Sequence, residues 1–91
     1  NGAQKKAKEN AHKANERIIE GAIQTYLADG GDLSQLDNNI ILLVEKEYLK
    51  QIPENPTKNG GSYDVKVTGD TFEVVDTDTP PPKIDTEESG T

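Results

Sequence analysis

Carboxylates are the most versatile chemical groups this chain offers, and four aspartates fall within residues 64–78: Asp64, Asp70, Asp76 and Asp78. Hard carboxylate oxygens suit Ca²⁺, which makes these four the calcium candidates and calcium the one cofactor to consider. Their spacing matches no EF-hand loop, and a solvated strand face running into an acidic tail accounts for them more simply. His12 is the only histidine, flanked by Lys13, with no serine or cysteine nucleophile beside it. A nucleophile–base pair therefore has no support, and an exposed helix position is expected for this side chain. Asp29, Asp32 and Asp37 punctuate a helix exit and the next entry, where short acidic side chains cap backbone N–H groups. Paired carboxylates for glycoside hydrolysis need a cleft around them, and so small a domain offers little. The absence of cysteine removes disulfides, thiolate catalysis and the common structural zinc sites together. These residues point away from an enzyme.

The elements that must position these groups follow from periodicity. Ala7, Ala11, Ala14, Ile18 and Ala22 recur at spacings of three and four, and Ile19, Ile23, Tyr26 and Leu27 widen the stripe. Ala, Lys, Glu and Gln fill the intervening positions, Glu9 and Lys13 stand in the favourable i, i+4 order, and Gly30-Gly31 supplies a stop. This predicts a helix over residues 3–29. Its apolar character is graded: alanines in the first half suit close helix approach, while the second half carries large side chains for a core. The second half is therefore expected to pack on the domain and the first half to project. A helical loop is expected over 32–52, entered at Asp32 or Ser34, with Leu33, Leu36, Ile40, Ile41, Leu43 and Val44 on its buried side, open to a break into two short pieces at Asp37-Asn38-Asn39, and ended by Pro53. Tyr63, Val65 and Val67 alternate with Asp64 and Lys66, and Phe72 and Val74 with Glu73, across a short Thr68-Gly69-Asp70 turn. That is a hairpin over 62–75. Two strands alone are barely stable, so their apolar face must lie on the long helix.

The expected fold class is α+β: a long N-terminal helix packed on a small antiparallel hairpin, with a short helical loop between, all within residues 1–75. The expected core is Ile19, Ile23, Leu27, Leu43, Tyr48, Leu49, Tyr63, Val65, Phe72 and Val74. The tyrosines and Phe72 fit core-edge packing with hydroxyls left at the surface; an exposed aromatic platform is the alternative. Residues 76–91, with Pro80-Pro81-Pro82, five acids and the single large aliphatic Ile84, read as an extended or disordered tail.

Composition agrees with one small, marginal domain. Leu, Ile, Val and Phe make 19 of 91 residues, close to the limit of about 20% below which chains tend to stay unfolded. Folding therefore requires that these residues be concentrated, as they are. The net charge of −7 and the lack of any basic patch argue against nucleic-acid binding by this chain.

Three segments carry a resemblance to a known family. Ala22-Ile23-Gln24-Thr25-Tyr26-Leu27-Ala28-Asp29-Gly30-Gly31 resembles the end of the spine helix of type IV pilins and type II secretion pseudopilins. Leu43, followed by Tyr48-Leu49-Lys50-Gln51-Ile52-Pro53-Glu54-Asn55-Pro56, resembles the segment that leads those proteins into their sheet. Ala3 to Ala14 is similar to the helix just beyond their membrane-embedded part. The resemblance covers about residues 3–75. It implies a structural subunit of an extracellular, cell-surface type IV pilus, stored in the membrane before assembly and serving adhesion, motility or biofilm formation. A pseudopilin of a secretion or competence system is the alternative within the class, and a small extracellular helix-mediated binding module the alternative outside it. The implied partners are identical or related subunits in a helical filament, packed through Ala7, Ala11, Ala14 and Ile18. A second implied partner is the membrane, reached through a hydrophobic N-terminal segment that this chain lacks. The missing cysteine pair points to a Gram-positive or pseudopilin-like member, and some related pseudopilins bind calcium beside their sheet.

Overall fold

The computed structural model describes residues 1–84. Helix α1 spans Gly2–Ala28, one 3-10 turn covers Leu33–Leu36, a short helix α2 covers Ile41–Glu45, and strands β1 (Ser62–Thr68) and β2 (Thr71–Thr77) follow. The fold is α+β, a long helix packed on a two-stranded antiparallel sheet with a short helix between them.

Helix α1 begins where the Asn1 side chain accepts hydrogen bonds from the Ala3 and Gln4 N–H groups, at 2.9 and 3.0 Å. It ends in paired reverse bonds, Gly31 N–H to the Tyr26 carbonyl and Gly30 N–H to the Leu27 carbonyl. Gly30 holds φ +93°, which glycine adopts without steric cost. Helix α2 closes with the same two-bond pattern, Tyr48 N–H to the Leu43 carbonyl and Glu47 N–H to that of Val44. There the left-handed position is Glu47, at φ +68°, a conformation that costs a side-chain-bearing residue about 1–2 kcal/mol.

The helical loop expected over 32–52 is mostly not helical. Asp32 caps the 3-10 turn by accepting from the Ser34 N–H, and α2 lasts five residues. The reason is visible at Asp37 and Asn38, which turn outward to the sheet. The Asp37 carboxylate accepts the Val67 N–H at 2.9 Å, and Asn38 N–H donates to the Val65 carbonyl at 2.8 Å. These bonds cover part of the free edge of β1, a more demanding need than continuing a helix.

The hairpin register pairs Tyr63 with Asp76, Val65 with Val74, and Val67 with Phe72, around a two-residue Gly69-Asp70 turn with Gly69 at φ +62°. Directly paired residues share a face, so Tyr63, Val65, Val67, Phe72, Val74 and Asp76 stand on one side of the sheet. Strand β2 reaches Thr77, so Asp76 and Thr77 belong to the hairpin and not to the tail. Residues 78–84 carry no regular element; the rest of the expected tail, 85–91, lies outside the described residues.

The core is one cluster. Helix α1 contributes Ile19, Ala22, Ile23 and Tyr26, and the middle segment Leu36, Ile40, Leu43, Val44, Leu49 and Ile52. The sheet adds Tyr63 and Val65. Of the residues expected in the core, Leu27, Tyr48, Phe72 and Val74 are half-buried at its margin, because they lie at the helix end, beyond α2 and on the outer strand. Tyr26 and Tyr48 meet edge to face, 5.8 Å between centroids. Their hydroxyls donate to the Asp32 carbonyl at 2.7 Å and the Asp29 carboxylate at 2.8 Å.

Candidate functional site

Helix α1 is about 40 Å long at 1.5 Å per residue, and its first core residue is Ile19. Everything N-terminal to Ile19 therefore has another role or none. Ala7, Ala11, Ala14 and Ile18 are all exposed, Ile18 at 55%, and form one stripe. At about 100° per residue this stripe is centred roughly 110° round the helix from the line of Ile19, Ile23 and Tyr26. The offset lets the same helix hold the core with one face and present another outward.

The first half of α1 does not simply project, as its alanines alone would imply. Two residues on its inner side, His12 and Asn15, tie it to the rest of the domain. His12 Nδ1 lies 2.8 Å from the Tyr63 hydroxyl, and the two rings stack at 5.6 Å with a 17° interplanar angle. Asn15 donates to the Glu54 carbonyl at 3.2 Å and to the Tyr63 hydroxyl at 3.4 Å. His12 Nε2 faces Glu16 Oε2 at 3.5 Å and Asp76 Oδ1 at 3.8 Å. His12 is thus half-buried at a seam between α1 and the hairpin, not the exposed residue that its polar neighbours suggest.

Tyr63 is 1% exposed, so its hydroxyl is not at the surface but closed over by the helix. Burial pushes the phenol above its ordinary pKa. The Asn15 hydrogen bond pulls the other way, and the Asp76 and Glu16 carboxylates add to the rise. Tyr48 is raised as well, first by its hydrogen bond to Asp29. Both phenols stay protonated at neutral pH and serve as hydrogen-bond partners, not as nucleophiles.

The four calcium candidates do not converge. Asp64 accepts from the Ile40 N–H at 3.2 Å and from its own neighbour Val65 at 2.8 Å, on the sheet face opposite Tyr63. Asp70 sits in the hairpin turn, and Asp78 pairs with Lys58 at 3.4 Å. Asp76 alone turns towards other ligand-type side chains, those of His12 and Glu16; the ligand atoms of these three lie within 4.8 Å of one another. The strand period explains the split, since Asp64 and Asp76 emerge on opposite faces.

Helix spacing could have paired His12 with Glu16, four residues on, from sequence alone. Adding Tyr63 and Asp76 requires the hairpin register and the helix–sheet docking, neither of which residue spacing supplies. Asn55, buried at 4% exposure, was a further residue without a sequence signal. Its side chain donates to the Ser62 carbonyl and accepts from both the N–H and the hydroxyl of Thr57, holding the loop before β1.

No protein-family model, no curated protein and no solved structure matches this chain. Among the described residues, no helix is long and apolar enough to cross a membrane.

Proposed function

We propose that this domain is a structural subunit of an extracellular type IV pilus, polymerising through the outer face of α1, with no catalytic step of its own. One observation carries the reading: seventeen helical residues precede Ile19, none of them contributes to the core, and their outer face is a stripe of alanines ending in an exposed isoleucine. A helix this short of core contacts is hard to account for in a free monomer, because isolated helical turns are only marginally stable in water. Small side chains permit close approach of a second helix, and Ile18 provides an apolar contact that the domain itself does not cover. The resemblance of the Ala22–Gly31 and Tyr48–Pro56 segments to type IV pilins supports the same assignment.

In this reading the partners are copies of the same or related subunits, and the filament reaches the cell surface after storage in the membrane by an apolar segment preceding α1. Chemistry is replaced by packing. The test is to express the complete reading frame containing this segment in its own cells, shear the surface and probe the released material. Recovery of the protein in filaments is expected. A soluble or purely cytoplasmic protein, folded but never in sheared filaments, would overturn the assignment.

A further inference from the structure

His12, Glu16 and Asp76 form a group whose geometry has a use beyond subunit packing. We infer that these three side chains make a binding site for a divalent transition-metal cation, with Zn²⁺ the best fit, that clamps the first half of α1 to strand β2. The inference is independent of the pilus assignment.

Three features carry it. First, the donor atoms already stand near coordination spacing. Around a tetrahedral Zn²⁺ with bonds of about 2.0–2.2 Å, neighbouring donor atoms are roughly 3.3–3.6 Å apart. His12 Nε2 lies 3.5 Å from Glu16 Oε2 and 3.8 Å from Asp76 Oδ1, and all three ligand atoms lie within 4.8 Å of one another, so a side-chain adjustment of about an ångström closes the set. Second, the imidazole is aimed from outside the group. The buried Tyr63 hydroxyl holds Nδ1 at 2.8 Å and its ring stacks on the imidazole, which leaves Nε2 as the coordinating nitrogen. A hydrogen-bond partner on the second nitrogen is what a metal-bound histidine ordinarily has, since it fixes the tautomer and the ring orientation. Third, the three ligands are only partly exposed, with side chains at 19%, 34% and 36%, so a fourth position remains open to water. One imidazole and two carboxylates suit Zn²⁺ and its first-row neighbours. Ca²⁺ and Mg²⁺ prefer all-oxygen shells of six or more, which this site does not provide.

The two elements joined are far apart in sequence, so binding should register as stability. Zn²⁺ at about ten times its Kd is expected to raise the Tm of the purified domain by roughly 6–10 °C. Ca²⁺ at the same concentration is expected to leave it unchanged. Co²⁺ should give the visible d–d bands of a low-coordinate site, bleached by added Zn²⁺. Asp76→Asn, Glu16→Gln and His12→Gln should each lower Zn²⁺ affinity at least tenfold by calorimetry, every variant being compared with its own metal-free Tm. If His12→Gln fails to fold, the two carboxylate variants, which remove partly exposed charges, still decide the matter. Zn²⁺ affinity unchanged in Asp76→Asn and Glu16→Gln, a response to Ca²⁺ in place of Zn²⁺, or no shift with any cation would each overturn the site.

Discussion

The two halves of α1 are one continuous helix, alanine-rich and charged before Ile19 and carrying large apolar side chains from it onward, and they do opposite work. From Ile19 onward the helix gives one face to the core, where Ile19 and Ile23 are fully buried and Tyr26 nearly so. Before Ile19 it has no core residue, and polar contacts at His12 and Asn15 replace apolar burial on its inner side. The difference teaches that helix length and helix anchoring are separate properties here. The second half makes the fold, and the first half is held to it by a few hydrogen bonds around one buried tyrosine while its outer stripe stays uncovered.

Truncation separates the halves most sharply. Ile23→Ala should cost about 2–5 kcal/mol in urea unfolding, the range for a buried isoleucine leaving a cavity. Ile18→Ala, five residues earlier, should stay within about 0.5 kcal/mol of the parent, as exposed positions do. Equal losses at the two sites would erase the distinction. The next largest effect belongs to the exit of the helix. A Cβ at Gly31 would run into the buried ring of Tyr26, so Gly31→Ala should cost about 1–3 kcal/mol as overpacking does. A neutral result would mean that this end of the helix is looser than its hydrogen bonds imply.

Tyr63→Phe tests how the first half is tied down. Losing the bonds to His12 and Asn15 should cost about 1 kcal/mol and speed amide exchange in residues 5–16 relative to 19–27. The same variant has an alkaline signature. Because the folded pKa of Tyr63 is raised, its contribution is fully present below the unfolded value of about 10 and is lost as pH rises through the folded one. Tyr63→Phe should therefore lose less stability than the parent in that window. The smallest effect is a gain. Gly21 lies in the helix interior with open space around it, so Gly21→Ala should stabilise by about 0.5–1 kcal/mol. A loss instead would show a close approach of another group at that point of the helix.

Much of the fold was legible in the sequence. The three- and four-residue spacing from Ala7 to Tyr26 gave α1, Gly30-Gly31 gave its end, and the alternation from Tyr63 to Val74 gave the hairpin. The middle segment was legible in part: Asp37-Asn38-Asn39 marked the break between its two short helical pieces, but not the competition in which Asp37 and Asn38 are drawn off to bond the edge of β1. That competition is tertiary, and no local propensity records it. The site was half legible. Periodicity placed Ala7, Ala11, Ala14 and Ile18 on one helix stripe, and all four are exposed. His12 was misplaced at the surface because its partners, Tyr63 and Asp76, arrive from a strand that spacing alone does not dock. The aspartates looked like one group by proximity in sequence and are divided by the two faces of the sheet.

The outer face of the first half of α1 is proposed to pack against other subunits and to contribute nothing to the fold. Ile18→Glu, made in the complete protein and followed in parallel as the isolated domain, tests it most directly. The domain should melt within about 2–4 °C of the parent, the shift expected from a change of about 0.5 kcal/mol at an exposed site. Sheared cell-surface material should at the same time lose the protein. Filaments at parental levels despite the buried charge, or a domain that unfolds, would contradict the account.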